Sequence, residues 1–314
     1  MSADLQNPIF NDLDKAREAL EAARWPNGPI CPKCGSVERQ ARVAGTGHRP
    51  GLVYCNECKA QYTVTVGTVF ERSKVPLTKW WLASHLMTSS KKGISAHQIH
   101  RMLGVTYKTA WFMCHRIREA MAPHESAKGP MGGPGVVVES DETYVGGKEK
   151  NKHRSKRDPN PKGKGDKEIV MSLVERKGRV RSHHVPDVTA KTLRPILNLQ
   201  LKRNTRLMTD DAIWTRSAAS HFNHHKTVNH RIGEYVRGNV HTNTIESYFA
   251  ILKRGIIGTY HHVSQQHLKR YLAEFDFRYN ERMALGVNDA ARVMTAMKGI
   301  EGKRLTYRRT NGAL

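Results

Sequence analysis

Two pairs of closely spaced cysteines constrain the fold of this chain more than any other feature of its sequence. Cys31 and Cys34 form the first pair, and Cys55 and Cys58 follow after a gap of twenty residues. Two thiolates separated by two residues can bind one metal ion from a tight turn, and two such turns complete a closed tetrahedral zinc site. The spacing therefore predicts a small zinc ribbon over residues 29–70 with one structural Zn²⁺. A redox-active CxxC is the competing interpretation, but a closed site leaves no open ligand position.

The charge balance restricts the partners of the chain. Of its 314 residues, 52 are Lys or Arg and 28 are Asp or Glu, so the formal net charge is +24. A protein with this excess usually binds a polyanion, and we expect nucleic acid. A basic surface that serves only solubility is the alternative. No apolar run reaches the roughly 20 residues of a membrane span, and the first residues do not resemble a signal peptide, so we expect a cytoplasmic, nucleoid-associated protein without a membrane partner.

Three helices are predicted between residues 71 and 124, from apolar residues at helical spacing. Ser95 and Thr106 are suitable N-cap residues, and Gly104 allows a tight turn between the last two helices. This spacing is typical of a helix-turn-helix, whose second helix enters the DNA major groove. The residues of that helix expected to contact DNA are Tyr107, Lys108, Trp111, His115 and Arg116. Three helices that pack together without a DNA role are the alternative.

Changes in composition divide the rest of the chain. An amphipathic N-terminal helix is predicted within residues 1–28, ahead of the zinc ribbon. The Pro/Gly-rich segment 125–135 is the clearest boundary, because segments of this composition form linkers. Residues 136–290 follow as an α/β domain, and residues 291–314 form a basic C-terminal tail.

The α/β domain has carboxylates where strands are predicted to end. A strand, a hairpin, a helix and another strand follow the linker, which is the order of an α/β sheet. Asp141 is expected to close the first strand and Asp210 a later one, at the edge where open α/β sheets form their sites. Because side chains alternate along a strand, Glu139 and Asp141 should point the same way and Glu142 the other way.

A helix predicted within residues 241–258 carries a third carboxylate. At about 100° per residue, Glu246 and Lys253 share one face, beside an apolar stripe. Thr242 or Asn243 is expected to cap the start of this helix. Carboxylates at two strand ends and on a facing helix are the hard oxygen ligands that a pair of Mg²⁺ ions needs. A surface helix whose charges meet no ligand is the competing interpretation.

A basic tract and several histidines leave alternatives open. The tract 148–167 is interrupted by proline and glycine, and it is either a solvated insertion or an arm that gathers phosphates. The histidines could suggest a zinc hydrolase, but they lack HExxH or a similar ligand spacing, so phosphate contacts or packing are favoured. These histidines are His224, His225, His230, His241, His261 and His262.

The order of motifs in this chain resembles that of the transposases of bacterial insertion sequences of the ISXO-like group. The motifs cover about residues 15–290 and comprise the four-cysteine ribbon, the three-helix segment, VESDETYVGG, MTDD, HTNTIESYFAILKRGIIGTYHHVS and HLKRYLAEFDFRYNER. The resemblance implies an α/β fold with a mixed sheet, in which a ribonuclease H-like DDE catalytic domain follows the small zinc ribbon and the helix-turn-helix-like segment.

The resemblance also implies which residues form the active site. Asp141, Asp210 and Glu246 match the three catalytic acids, which bind two Mg²⁺ ions, for which Mn²⁺ can substitute. Lys253 matches a basic residue seven positions after the third acid. Some relatives have asparagine as the third member, so Asn243 is the alternative to Glu246. Glu246 is preferred because an anion binds Mg²⁺ better than an amide and because 35 residues separate it from Asp210.

The activity that the resemblance implies is Mg²⁺-dependent DNA transposition. Such an enzyme cleaves the strand at the ends of its element and transfers the freed 3′-hydroxyl into target DNA. The expected partners are transposon-end DNA and target DNA, bound by a homo-oligomer, and Arg254 is a further expected DNA contact. Two alternatives stay open, a non-catalytic DNA-binding protein built on the ribbon and the helix-turn-helix, and a ribonuclease H-like nuclease that cuts without joining.

Overall fold

The structure is a computed structural model that describes residues 5–45, 47–123, 129–147, 153–157 and 167–306. In chain order, the helices and strands are α1 (Leu13–Arg24), β1 (Gln40–Arg42), β2 (Val53–Cys55), β3 (Gln61–Tyr62), α2 (Leu77–Ser89), α3 (Ala96–Leu103), α4 (Tyr107–Met121), β4 (Val137–Val145), β5 (Glu168–Glu175), β6 (Val180–Val185), α5 (Ala190–Gln200), β7 (Arg206–Asp210), α6 (Ile213–Ala219), β8 (Lys226–Val228), β9 (Val236–Arg237), β10 (Val240–His241), α7 (Asn243–Gly255), α8 (Gln265–Asn280) and α9 (Asp289–Lys298).

The chain divides into two compact units. The first unit comprises Met1–Ser90, Ile94–Pro123 and Val287–Leu314, and the second comprises Lys91–Gly93 and His124–Gly286. None of the helices in the described ranges combines the length and the apolar character that crossing a membrane requires.

Three of the predicted segments extend beyond the described residues. The basic tract 148–167 is described only at residues 153–157 and 167. The linker 125–135 is described from residue 129 onward, and the tail 291–314 as far as residue 306.

The zinc ribbon in the first unit brings four cysteine sulfurs together. Its strands form an antiparallel sheet with the order β1-β2-β3. The sulfurs of Cys31, Cys34, Cys55 and Cys58 all lie within 4.8 Å of one another. The Sγ–Sγ distance is 3.6 Å between Cys31 and Cys58 and 3.7 Å between Cys34 and Cys55. Four thiolates about 2.3 Å from a tetrahedral zinc ion would lie about 3.8 Å apart, so this arrangement fits Zn²⁺.

The helices that follow the ribbon begin and turn where the sequence predicts. The hydroxyls of Ser95 and Thr106 cap α3 and α4 by accepting from the backbone N–H groups of Gln98 and Thr109. Gly104 lies between these helices with a φ of +58°, a left-handed conformation that favours glycine. The predicted helices and their turn are therefore confirmed, and their role in DNA binding stays a prediction.

Helix α9 packs into the first unit, although the sequence analysis placed most of it in the tail. Asn288 caps it by accepting from the N–H of Ala291 at 2.8 Å, and α9 packs against α2 and α4. Arg292 donates to the backbone oxygen of Thr88 at 3.1 Å, while Met297 is buried. The basic composition of the C-terminal segment obscured this short apolar face.

The second unit is built on a mixed sheet with the strand order β6-β5-β4-β7-β8. Strands β6, β5 and β4 pair antiparallel, and strands β4, β7 and β8 pair parallel. The predicted α/β class with a mixed sheet is confirmed. β4 is the central strand, and the antiparallel and parallel parts of the sheet meet on its two edges.

Helices cover both faces of this sheet, because alternate side chains of its strands are apolar on each side. Helices α5 and α6 cover one face, where Leu173 and Leu193 are among the buried residues. Helices α7 and α8 cover the other face, where Val170, Leu252 and Leu272 are buried. The central strand β4 is thus enclosed between two apolar layers.

We predict that replacing Cys58 with Ser removes zinc and loosens residues 30–70, because metal binding supplies the folding free energy of a segment too small for its own core. The second unit should still unfold cooperatively. Zinc content per chain and hydrogen exchange over the ribbon measure both effects. Cys114→Ser is the control, since this buried cysteine of α4 lies outside the cluster. Retention of one zinc per chain by Cys58→Ser would contradict the prediction.

Candidate active site

Asp141 and Asp210 lie side by side on neighbouring parallel strands. The pairing of β4 with β7 extends to Glu139, which is opposite Met208, and the two aspartates come two residues later on each strand. β7 ends at Asp210, whereas β4 continues to Val145 because it remains paired with β5. The expectation that Asp141 closes its strand was therefore wrong, since the antiparallel neighbour extends β4 by four residues.

Glu142 joins the two aspartates, which the sequence analysis did not predict. Oxygen atoms of Asp141, Glu142 and Asp210 all lie within 4.8 Å of one another. The predicted alternation is compatible with this, because Glu142 forms a hydrogen bond with Trp214 of α6, the helix that covers the opposite face. Because β7 ends at Asp210, β4 has no neighbouring strand among the described residues on that side from Glu142 onward. Side chains from the two faces of the sheet can therefore converge there. The signal in the sequence was the adjacent Asp-Glu pair.

The electrostatics of this cluster favour a bound cation. Burial raises the pKa of Asp141 to about 8, and repulsion from Glu142, Asp210 and Glu246 contributes. Burial raises the pKa of Glu142 to about 7, with a contribution from Asp210. Carboxylates in this situation are costly to ionise together unless a cation binds between them. Mg²⁺ prefers such hard oxygen donors, so the residues present fit the divalent ions that the resemblance implies.

The second aspartate of the MTDD motif has a different role from the first. Asp211 forms an ion pair with Arg216, whose Nε lies 3.3 Å from Oδ1, and accepts from Asn229 Nδ2 at 3.1 Å. Its oxygens therefore hold local structure together. Asp210 is the aspartate of this motif that reaches the carboxylate cluster.

Glu246 lies in the first turn of α7, near the cluster but outside it. Its Oε1 accepts from Thr242 Oγ1 at 3.0 Å and lies 4.0 Å from His230 Nε2. The side chain is 47% exposed, and it is close enough to Asp141 to raise the pKa of that carboxyl. Glu246 thus faces the site from the helix, while the other carboxylates face it from the strands.

The remaining residues predicted on α7 are exposed. Asn243 lies at the start of the helix, and Lys253 and Arg254 lie in its last turn. Arg254 Nε donates to the backbone oxygen of Ala250 at 3.1 Å. Glu246 and Lys253 are about 10 Å apart along the axis and on the same face, since seven residues make almost two turns.

The start of α7 is capped by a residue from the sheet. Thr242 occupies the N-cap position, as one of the two expected residues, but its side chain makes no capping hydrogen bond. Glu139 of β4 instead accepts from the N–H groups of Thr244 at 2.8 Å and Ile245 at 3.0 Å. Local sequence gave no signal of this role, because Glu139 lies about a hundred residues before the helix.

In the first unit, the residues predicted to contact DNA differ in accessibility. Tyr107 is 43% exposed and stacks on the ring of His97 at a centroid distance of 4.1 Å, and Lys108 is also exposed. Trp111 is half-buried against His115. His115 is only 1% exposed, so its ring is enclosed within the first unit, and its role as a DNA contact stays a prediction.

Arg116 is also engaged within the first unit. Its guanidinium lies over the ring of Phe112 and donates to the backbone oxygens of Glu71 and Leu305, each at 3.3 Å. Burial lowers the pKa of this guanidinium. Helical periodicity does not distinguish Arg116 from Lys108, because it gives the angular position of a residue on the helix but not which residues pack against it.

The histidines do not form a metal site with one another. Within the described ranges, the groups of three or more potential ligands are the four cysteines and the cluster of Asp141, Glu142 and Asp210. His225 Nε2 instead pairs with Thr209 Oγ1 at 2.9 Å, and His184 Nε2 with Glu168 Oε2 at 2.7 Å. This arrangement gives no support to the zinc hydrolase alternative.

We predict that Asp141→Asn stabilises the protein in Mg²⁺-free buffer, by about 1–3 kcal/mol at pH 8. The folded pKa of Asp141 is raised to about 8 from an ordinary 3.8, so the folded state binds more protons and loses stability as the pH rises between these values. The advantage of the variant should shrink toward pH 4. Urea unfolding at several pH values measures it, with Asp211→Asn as the control. A variant less stable than the original at pH 8 would contradict the prediction.

Comparisons with known proteins identify the family of the chain. Residues 131–280 match the model of the ISXO2-like transposase domain, and residues 12–61 match that of the transposase zinc-ribbon domain. The chain is also 31% identical over 295 residues to a protein of Halobacterium salinarum (strain ATCC 700922 / JCM 11081 / NRC-1), described as an uncharacterized protein in transposable element ISH50. That match covers 86% of this chain and 92% of the relative. The chain therefore belongs to the family of insertion-sequence transposases that combine a zinc ribbon with an ISXO2-like DDE domain.

Proposed function

We propose that this chain is an active DNA transposase that cleaves the strand at the ends of its element and joins the freed 3′-hydroxyl to target DNA. The observation that carries the proposal is the convergence of Asp141 and Asp210 where β7 ends beside β4, with Glu246 facing them from α7. Membership of the transposase family supports the same activity. The reaction itself is the part that we infer.

The acids would act as ligands of two divalent ions, Mg²⁺ or Mn²⁺. Ions bound by their oxygens would activate the attacking water or 3′-hydroxyl and stabilise the leaving oxygen. Asp141 and Asp210 supply oxygens from the strands, and Glu246 supplies them from α7. Glu142 adds negative charge on the α6 side of the same cluster. Asp211 takes no part, because Arg216 and Asn229 engage it.

Positive side chains around the acids would hold the DNA backbone. Lys253 and Arg254 are exposed on α7. A groove of about 630 Å³ in the same unit is lined by Arg216, His225, Lys226, Thr227, Arg237 and Val240. Lys226 and Thr227 of this groove belong to β8, which pairs with β7, the strand that ends at Asp210. Phosphate contacts of this kind fix the register of a duplex without reading its sequence.

The first unit would then recognise the ends of the element. Tyr107 and Lys108 are the first two residues of α4. In helix-turn-helix proteins the N-terminal residues of the recognition helix contact base edges. The zinc ribbon would provide a second DNA-binding or docking surface. A homo-oligomer would bring two element ends and target DNA together.

We predict that Asp141→Asn, Asp210→Asn and Glu246→Gln each lower the rate of strand cleavage by about a thousandfold or more, because charge stabilisation of the transition state is lost. A denaturing gel of a short duplex carrying the element end, with Mg²⁺, measures the rate. Asn243→Ala is the control for the third ligand and should cleave normally. Loss of cleavage in Asn243→Ala but not in Glu246→Gln would instead identify Asn243, about one turn closer to the start of α7, as the third ligand.

We predict that Lys253→Ala weakens binding of the element end while Mg²⁺ binding persists, because its ammonium is a phosphate contact and not a metal ligand. Fluorescence anisotropy of labelled DNA and Mg²⁺ titration calorimetry measure the two affinities separately. Equal loss of Mg²⁺ binding in Lys253→Ala and Glu246→Gln would contradict this role.

Joined products distinguish a transposase from its alternatives. Incubation with element-end DNA, target plasmid and Mg²⁺ should give strand-transfer products. Cleavage without joining would identify a nuclease, and binding without cleavage would identify a non-catalytic DNA-binding protein.

A further inference from the structure

We propose that Glu139 is a positioning residue of the active site, which holds α7 and therefore Glu246 at a fixed place relative to Asp141. The inference rests on the proposed function, since it concerns the geometry of the acids. Its basis is one buried carboxylate, which contacts the start of α7, the hairpin between β5 and β6, and the segment that precedes α7.

Glu139 accepts four hydrogen bonds, three from the first turn of α7 and one from Arg176. Its side chain is fully buried. Oε2 accepts from the backbone N–H groups of Thr244 and Ile245, at 2.8 and 3.0 Å. Oε1 accepts from Thr244 Oγ1 at 2.9 Å and from Arg176 Nε at 2.6 Å. Each oxygen therefore accepts two hydrogen bonds. Both donors to Oε2 belong to the start of α7, and Oε1 accepts one bond from α7 and one from Arg176.

Arg176 extends this connection to the loop that leads into the helix. Besides Glu139, its guanidinium donates to the backbone oxygens of Asn239 at 2.8 Å and His241 at 2.9 Å. His241 Nδ1 also lies 3.5 Å from Glu139 Oε1. The arginine compensates the charge of the buried carboxylate and fixes the chain on the N-terminal side of Thr242. The entry of α7 is thus held from both sides.

The position of Glu139 in the sequence makes this connection matter for catalysis. On β4 it lies two residues before Asp141 and on the same face, while the residue after Ile245 is Glu246. The carboxylate therefore joins the strand that carries Asp141 directly to the helical turn that carries Glu246. An anion at a helix N-terminus is also favoured by the helix dipole. Displacements of about 1 Å are enough to impair catalysis, so loss of this contact should affect the chemistry.

A second buried carboxylate anchors the same helix at a different point and provides a matched control. Asp276 of α8 accepts from Tyr248 Oη of α7 at 2.6 Å. It also accepts from the hydroxyl and the N–H of Ser182 on β6, both at 2.7 Å. Asp276 thus stabilises α7 against α8 and the edge strand, through hydrogen bonds to Tyr248 and Ser182 rather than to the first turn of α7.

The test compares Glu139→Gln with Asp276→Asn in the full-length, zinc-loaded protein. A glutamine has one acceptor oxygen, so it cannot serve the donors on both sides of Glu139. We expect Glu139→Gln to weaken Mn²⁺ binding, followed by paramagnetic resonance, by about 10-fold and to lower kcat for strand cleavage by about 10- to 100-fold. KM for the DNA should stay within about twofold. Amide exchange should accelerate at Thr244 and Ile245.

Asp276→Asn should leave Mn²⁺ affinity and kcat near those of the original protein, even where it lowers the unfolding midpoint. If both variants lose Mn²⁺ affinity in proportion to their loss of stability, Glu139 acts only as a structural residue and the inference is overturned. A kcat of Glu139→Gln equal to that of the original protein overturns it as well.

A milder variant keeps the inference testable if Glu139→Gln does not fold. Thr244→Val removes one hydrogen bond to Glu139 and leaves the charged pair with Arg176 in place. We expect a severalfold loss of kcat and of Mn²⁺ affinity, and unchanged values of both would count against Glu139. Failure of the proposed function has a different signature, in which the original protein neither cleaves DNA nor binds Mn²⁺ more tightly than Asp141→Asn.

Discussion

The contact between the Glu139 carboxylate and the first turn of α7 fixes how this helix is placed on the sheet of the second unit. Hydrophobic packing holds helices against a sheet but is not directional, so it does not by itself fix where a helix begins relative to a strand. The hydrogen bonds to the N–H groups of Thr244 and Ile245 are directional, and they fix that point. The ion pair with Arg176 makes the burial of the carboxylate tolerable, since a buried charge without a partner is strongly destabilising.

The central strand therefore has two functions on one face. Glu139 lies where β4 still has parallel pairing with β7, so its surroundings are fully enclosed and its oxygens serve the backbone of α7. Asp141 lies two residues further, where that pairing has ended, and its oxygens approach those of Glu142 and Asp210. A carboxylate on this face therefore supports the structure at position 139, whereas at position 141 it lies in the cluster that could hold a metal ion.

Much of this architecture could be predicted from local sequence, because the signals are local. The paired cysteines, the N-caps Ser95 and Thr106 and the alternation in β4 each involve a few neighbouring residues. The capping of α7 could not be predicted, because Glu139 is about a hundred residues from the helix. The convergence of Glu142 with Asp141 depends on where β7 ends, and the burial of His115 depends on packing. These are tertiary properties that periodicity does not report.

The raised pKa values of Asp141 and Glu142, to about 8 and about 7, have a consequence for ion uptake. At neutral pH the carboxyls of Asp141 and Glu142 retain protons, so a divalent ion that bound between them would displace those protons. Apparent affinity for Mg²⁺ should then increase from pH 6 to pH 8, and the measured heat of binding should vary with the ionisation enthalpy of the buffer. The cluster would thus take up its ions most readily at the alkaline end of the physiological range.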